Sequence, residues 1–511
     1  MHHLLDPLRA TAAKHPDRLA ISDPTLALSY AALHAVAEGL AAQIAARSTR
    51  PLVGILAPTS SAAAISLLAC WYAGKTPVPL NFLLAPEELG KIIADAGLDL
   101  ILTIDRFAPQ LAAVGIPTLL LNGKTLIPAS AISAEAARMA ERYPVERGGR
   151  ERGEGVAKAT PLPPAKAGPD DLAVVLYTSG TLGLPKGVCL TMNNIRSNAA
   201  AAIEYANLRP EQVFLSVLPQ FHSFGFTAMT VVPLMLGATV HYLPRFTPVS
   251  VAETIREKQV SIFMAVASMY AALLNLRDSG PDDFATVELA ISGGEPLPES
   301  VAAEFLRRFG VTLYEGYGLT ESSPIVSWNT PFAHRPGSVG RTLPGIEAFT
   351  IDAQGNRLAA GMTGEICIRG ACVMAGYRNR PDDTRAVIID NALRTGDLGH
   401  VDSDGYLHIT GRAKEMLIVG GDNVFPREIE NILLAHPAVA EAAVIGAPDD
   451  LRGEVPVAFV ILKPDATASD SDLRAHCRAH LAGFKVPRSI TLAADLPRSP
   501  TGKILKRALP K

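Results

Sequence analysis

Tyr177-Thr178-Ser179-Gly180-Thr181-Leu182-Gly183-Leu184-Pro185-Lys186-Gly187 is the stretch from which this chain is best read. Its eleven positions hold three aliphatic hydroxyls, three glycines and one lysine. Apolar residues at 172–176 predict a strand before it, and 193–205 predict a helix after it. Glycine lets backbone N–H groups turn toward an anion, hydroxyls add donors, and lysine adds positive charge. The stretch therefore reads as a polyphosphate loop, with a ligand-free surface loop as the plainer alternative. A Walker A loop is excluded, because its pattern needs glycine where Pro185 stands.

Outward from the loop, short apolar runs alternate with helical spacing. Residues 52–56, 100–104, 118–121, 213–217, 240–243, 261–265 and 287–291 predict buried strands. Tyr30, Leu33, Val36, Leu40 and Ile44 recur at helical intervals. Such alternation predicts an α/β fold of layered subdomains with largely parallel sheets. Residues 145–170 are rich in Gly, Arg, Glu, Pro and Lys and read as a flexible excursion. After about residue 330, turn pairs such as Pro336-Gly337, Pro344-Gly345 and Asp404-Gly405 bracket short β runs, which predicts a β subdomain. The last hundred residues read as a small mobile α+β domain. The expected division is 1–411 and 412–511.

Composition narrows the function. The length of 511 residues requires more than one core. A net charge of −3 gives no basic surface for nucleic acid. Five scattered cysteines predict free thiols in a reducing compartment, and no Cys/His spacing predicts zinc. No signal peptide is evident, so a cytoplasmic location is expected. The uncharged runs 51–74 and 213–244 are broken by Pro, Gly, Ser or Thr and read as strand–helix–strand, with at most peripheral membrane contact.

Further constellations accumulate along the chain. Gly293-Gly294-Glu295-Pro296 follows a predicted strand and permits close approach of a flat ligand. Gly316-Tyr317-Gly318-Leu319-Thr320-Glu321 offers a ring for stacking and a carboxylate for Mg²⁺. Thr395-Gly396-Asp397 sets a carboxylate after a tight turn, suited to a ribose diol, and Thr501-Gly502-Lys503 sets a lysine on a shaped loop. A dehydrogenase is excluded, because no GxGxxG follows a strand.

Taken in order, with Leu28-Ser29-Tyr30, Gln220-Phe221-His222-Ser223-Phe224-Gly225 and Gly411-Arg412-Ala413-Lys414, these motifs resemble the adenylate-forming superfamily of AMP-binding acyl-CoA synthetases, luciferases and peptide-synthetase adenylation domains. The resemblance runs from end to end. It implies a two-step reaction with ATP, Mg²⁺ and coenzyme A. A carboxylate attacks the α-phosphate to give an acyl-adenylate and pyrophosphate, and a thiol then takes the acyl group. The resemblance assigns Thr178, Ser179, Gly180, Thr181 and Lys186 to the triphosphate. It puts Gly294, Glu295, Pro296, Tyr317 and Gly318 around adenine and Asp397 and Arg412 at the ribose. Thr320 serves phosphate, and Glu321 holds the metal. Lys503, Glu321, Thr178 and His222 are the implied catalytic residues. Lys414 is the implied hinge, and Gly420 and Gly421 line the thiol channel. Leu182 departs from the usual Thr or Ser, which implies altered triphosphate contact.

The acid is expected to meet His222, Phe224, Gly293 and Gly316. No carboxylate in the His222 motif could pair with an amino-acid ammonium, and an unpaired buried ammonium is costly. Residues 224–237 could line a greasy tunnel or serve only as core. The expected enzyme is a medium- or long-chain fatty acid–CoA ligase. Acyl carrier protein as the acceptor, an aryl acid as the substrate and a non-catalytic nucleotide-binding module stand as alternatives. The oligomeric state is left open.

Overall fold

The computed structural model describes residues 4–112, 114–122, 168–178, 185–420, 422–449, 451–498 and 504–510. Ser179, Gly180, Thr181, Leu182, Gly421 and Lys503, and the expected excursion as far as residue 167, lie outside the described residues.

The fold has a large N-terminal and a smaller C-terminal domain, each mixed α/β. The central layer of the large domain is a nine-stranded sheet. From Leu19–Ser22 through Thr239–Tyr242, Val213–Ser216, Ile262–Ala265 and Leu289–Ser292 to Leu313–Gly318, neighbouring strands are parallel. The middle strands Ile262–Ala265 and Leu289–Ser292 are short and buried throughout, as parallel strands covered by helices are. A second sheet, Thr76–Pro79, Leu52–Leu56, Ile101–Thr103 and Thr118–Leu120, is wholly parallel.

Between the sheets, helix Tyr30–Arg47 packs on helix Ser61–Tyr72. Each begins on a serine: Ser29 accepts the Ala32 N–H and Ser60 accepts the Ala63 N–H. The second helix is almost entirely buried, which accounts for its lack of charge. Its Trp71 donates an indole N–H to the Ala173 carbonyl at 2.8 Å. Both uncharged runs thus lie inside the fold. Among the described residues no helix is long and apolar enough to cross a membrane.

The phosphate loop sits elsewhere than its expected strand–loop–helix context. Leu172–Thr178 pairs antiparallel with Lys186–Thr191, so the loop closes a β-hairpin. The second strand carries Lys186 and Gly187, which hid it from an apolar count. Helix Met192–Tyr205 starts directly after it. Thr191 accepts the Asn194 N–H at 3.1 Å, and Asn194 accepts the Thr191 N–H at 2.8 Å, a reciprocal cap. Val175, Tyr177 and Cys189 press the hairpin onto the core of the four-stranded sheet.

The expected β subdomain is an antiparallel sheet of Ile346–Ile351, Gly364–Gly370, Ala392–Val401, Ile388–Ile389 and Leu407–Arg412. The smaller domain has its own sheet, with Val439–Asp449 and Gly453–Leu462 at its centre. Helices Pro426–Ala435 and Asp470–His480 bury Ile429, Leu433, Leu473 and Cys477 against it. All five cysteines are free, and all but Cys189 are fully buried. Burial pushes the thiols up, Cys367 and Cys477 to about 11 and Cys372 to about 12.

Candidate active site

Thr178 and Lys186 are register partners at the base of the hairpin that carries the expected phosphate loop. The base is anchored from outside. Tyr177 donates its phenol to Asp95 at 2.6 Å. Arg378 caps the same helix end through the Asp95 and Ala96 carbonyls, at 3.2 and 3.1 Å. Lys186 is 3.1 Å from Asp383, and its ammonium lies 4.8 Å from the centre of the Tyr377 ring. The lysine beside it holds the Asp383 carboxyl below its ordinary range.

Glu321 lies on a single helical turn, Thr320–Ser322, at the end of the Leu313–Gly318 strand. The Tyr377 phenol donates to its Oε1 at 2.7 Å, and Ser223 shares a hydrogen bond with Thr320 at 3.2 Å. Among the described residues no group of three or more His, Cys, Asp or Glu could hold a metal. Mg²⁺ does not require such a cage. One carboxylate with substrate phosphate oxygens and water is its ordinary coordination, and the half-buried carboxylate of Glu321 fits that role.

The residues expected around adenine and ribose come from four strands. Gly293 and Gly294 follow Leu289–Ser292, and Gly294 has φ +81°, which favours glycine. Glu295 accepts the Ser268 N–H at 2.6 Å, and exposed Pro296 follows it. Gly318 can carry no side chain, because a Cβ there would stand 2.0 Å from the Pro324 carbonyl oxygen. Tyr317 donates its phenol to Asp397 Oδ2 at 2.6 Å, and Arg412 Nε meets Asp397 Oδ1 at 2.8 Å. Burial and the Asp397 charge together push the Tyr317 phenol far up, so it stays a donor. The same carboxylate raises the Arg412 guanidinium further.

The expected acyl residues also meet. The Phe224 ring lies over Gly293: a Cβ on Gly293 would stand 3.1 Å from Phe224 Cε1 and 3.7 Å from the Gly316 carbonyl oxygen. His222 precedes this ring and tilts against Phe221, with centroids 4.6 Å apart. Phe224 opens a π-helical stretch, Phe224–Val231, a form often found beside functional sites. Of the two readings of 224–237, core is favoured for Gly225 through Leu234, which are buried and whose Phe226, Ala228, Met229, Val231, Val232 and Leu234 join the main core. Only the first residue of the segment reaches the glycines of the site. Across the sheet from Gly316 stands buried Trp328.

Lys414 is exposed on the short turn Ala413–Glu415, directly after the last strand of the β subdomain. Gly420 is exposed with φ +61°, and its N–H binds the Arg452 carbonyl at 2.9 Å. Motif reading missed Asp95, Tyr377 and Asp383, and also Glu315. Glu315 accepts the Leu297 N–H at 3.2 Å and lies 3.4 Å from Arg427 of the smaller domain. Burial pushes the Glu315 carboxyl up, while Arg427 and the Leu297 N–H pull it down. Asp95, Tyr377 and Asp383 belong to no recognisable motif, and Glu315 stands at the edge of the Gly316–Glu321 motif with no role of its own legible there.

The AMP-binding enzyme family profile matches residues 8–378, and its C-terminal domain profile matches 428–503. The long-chain-fatty-acid–CoA ligase of Bacillus subtilis is 33% identical over 98% of this chain and 93% of its own length. A feruloyl-CoA synthase of Amycolatopsis is 32% identical over 97% of this chain and 96% of its own. The ATP-bound structure of MatB from Rhodopseudomonas palustris superposes with a TM-score of 0.87 at 31% identity, covering 99% of this chain and 97% of that one. This chain belongs to the AMP-binding enzyme family, within the adenylate-forming superfamily.

Proposed function

We propose that this AMP-binding enzyme activates a medium- or long-chain fatty acid and passes the acyl group to coenzyme A. The coarser reaction, ATP-dependent acid–CoA ligation, follows from the family and its named relatives. In the first step an acid oxygen bonds to the α-phosphorus of ATP, and the bond to the β-phosphate oxygen breaks, releasing pyrophosphate. In the second, the CoA thiolate bonds to the acyl carbon, and AMP leaves with the acid oxygen.

Each step brings anions together, so positive charge must stand where negative charge develops. Lys186 and the hairpin N–H groups take the β- and γ-phosphates in this reading. Thr178 and Thr320 add hydroxyl donors, and Asp397 takes the ribose diol. Glu321 would hold Mg²⁺, which supplies charge neutralisation on the phosphates when bound. Lys503 reaches both reacting anions, and His222 borders the acid. The smaller domain, beginning at Arg412, turns about Lys414 to bring the Gly420-Gly421 loop to the acyl carbon for thiol attack. Free, buried thiols fit the reducing cytoplasm.

The observation that carries the fatty-acid reading is the wall of Phe224, Gly293 and Gly316, where the Phe224 ring lies against the bare face of Gly293 and beside the Gly316 carbonyl. Each CH₂ buried there contributes about 0.8 kcal/mol. A second reading, an aryl acid, is favoured by Trp328, which stands opposite Gly316 and would bound a short, flat pocket. Pyrophosphate release across a panel of acids, with CoA or acyl carrier protein as acceptor, separates them. Rising turnover with chain length and dependence on CoA are expected. A preference for cinnamate-like acids would replace the first reading with the second, and dependence on carrier protein would change the acceptor.

A further inference from the structure

Tyr377 occupies a place that no motif marks. Its strand, Gly376–Tyr377, adds to the phosphate hairpin, with Tyr377 opposite Val188. Side chains alternate along a strand, so Lys186 and Val188 share a face. Tyr377 shares it too and is the diagonal neighbour of Lys186, within reach of a long side chain. The ring centre lies 4.8 Å from the Lys186 ammonium, and the phenol lies 2.7 Å from Glu321 Oε1. One side chain therefore touches both the phosphate lysine and the metal carboxylate.

The ring has little freedom. Flanking backbone bonds run from the Ala375 N–H to Cys189 at 3.0 Å and from the Arg378 N–H to Gly187 at 2.7 Å. The Tyr377 N–H donates to Thr384 Oγ1 at 2.8 Å. Thr384 packs so closely that a Cβ on Gly376, at φ +147°, would stand 2.8 Å from its methyl. The segment also grips Glu321 from the backbone, where the Met374 N–H donates to the Glu321 carbonyl at 2.9 Å. A carboxylate oxygen only accepts, so the phenol is the donor to Oε1. Among the described residues no hydrogen bond engages Oε2, which leaves that oxygen for a ligand.

We propose that Tyr377 is a positioning residue that fixes the Glu321 carboxylate for its metal and sets its spacing from Lys186. The inference rests on the reading of this site as one for ATP with a divalent cation. Groups that orient a metal ligand without touching the metal typically carry about 10- to 100-fold of the metal affinity. Tyr377→Phe removes the phenol and keeps the ring over Lys186. Tyr377→Leu removes both.

The test is a Mn²⁺ titration followed by electron paramagnetic resonance, with α,β-methylene-ATP on the full chain. Binding of the same analogue in EDTA is measured by calorimetry. Tyr377→Phe should weaken Mn²⁺ binding about 10-fold or more and leave metal-free analogue binding unchanged. Tyr377→Leu should weaken both. Parental Mn²⁺ affinity in Tyr377→Phe would overturn the proposal. So would an equal loss of metal-free binding, which would mean a general structural role. If the parent itself fails to take up Mn²⁺ with the analogue, the nucleotide reading falls first.

Discussion

Asp397 and Arg412 are register partners on adjacent antiparallel strands, joined Oδ1 to Nε at 2.8 Å, while the other Asp397 oxygen accepts the Tyr317 phenol. The carboxylate is almost wholly buried, and Arg412 reaches it from the solvent side. A carboxylate can accept about four hydrogen bonds, so a ribose diol fits beside both partners. Asp397→Asn keeps the shape and removes the charge. Hydrogen bonds to a charged group contribute about 1.5–3 kcal/mol, so AMP affinity should fall roughly 10- to 100-fold. Calorimetric titration with AMP checks this, and parental affinity would remove Asp397 from the ribose site.

The strands carrying these two residues are joined at a turn clasped by Asp402. Its carboxylate accepts the Asp404 and Tyr406 N–H groups, Arg335 and His408. Burial works against the charge, yet these bonds hold the carboxyl down at about 2. An unfolded aspartate titrates near about 3.9. The folded pKa lies below the unfolded one, so the stabilisation is complete above about 4 and is lost as pH falls toward 2. Asp402→Asn should destabilise by roughly 1–3 kcal/mol at neutral pH, with the difference shrinking across that acid window. Denaturant unfolding at several pH values measures it, and a difference that persists at pH 2 would contradict the assignment.

A tryptophan at 316 would compete with Trp328, since a Cβ on Gly316 would lie 3.0 Å from Trp328 Cβ. Gly316→Trp should therefore shift preference to short acids while ATP affinity changes little. Trp328→Phe removes volume on the same face and should move the profile the other way. Competition assays with mixed acids report both. A profile unchanged in both variants would take this pair out of the acid pocket.

Lys503→Ala should cut adenylate formation by orders of magnitude, because the two reacting anions lose the cation proposed between them. Thioester formation from supplied acyl-AMP should survive. Equal loss in both half-reactions would refute a role confined to adenylation.

Lys414→Pro tests the hinge. The turn Ala413–Glu415 is 3₁₀-helical, a form whose φ proline shares, so the observed arrangement admits it. Rotation that changes φ at 414 is blocked by proline, which also restricts Ala413. Adenylation should persist, thioester formation should fall, and acyl-AMP should accumulate on the enzyme. Single-turnover assays with labelled acid follow both products. Thioester made at the parental rate would mean that no rotation about Lys414 is needed.

Much of this was legible in the residues. Period and apolarity located most of the parallel strands within about two residues, but missed Leu19–Ser22 and Thr76–Pro79, four residues each and the second carrying two prolines. The Lys186–Thr191 strand was missed because its first two residues are Lys and Gly, and only its pairing with Leu172–Thr178 makes it a strand. Residues 224–237 look alike as tunnel or core, since both are apolar, and only packing separates Phe224 from Phe226. Tyr377 and Asp95 left no trace, because a positioning residue is defined by what it touches far along the chain.

The thiols have a practical consequence for measuring thioester formation. Four of the five are sealed in the interior, and the partly open Cys189 is also pushed away from its reactive thiolate form by burial. A colorimetric thiol reagent added to the folded enzyme should register the coenzyme alone. Disappearance of CoA can then be followed by absorbance from aliquots of one reaction, with the protein as a blank background.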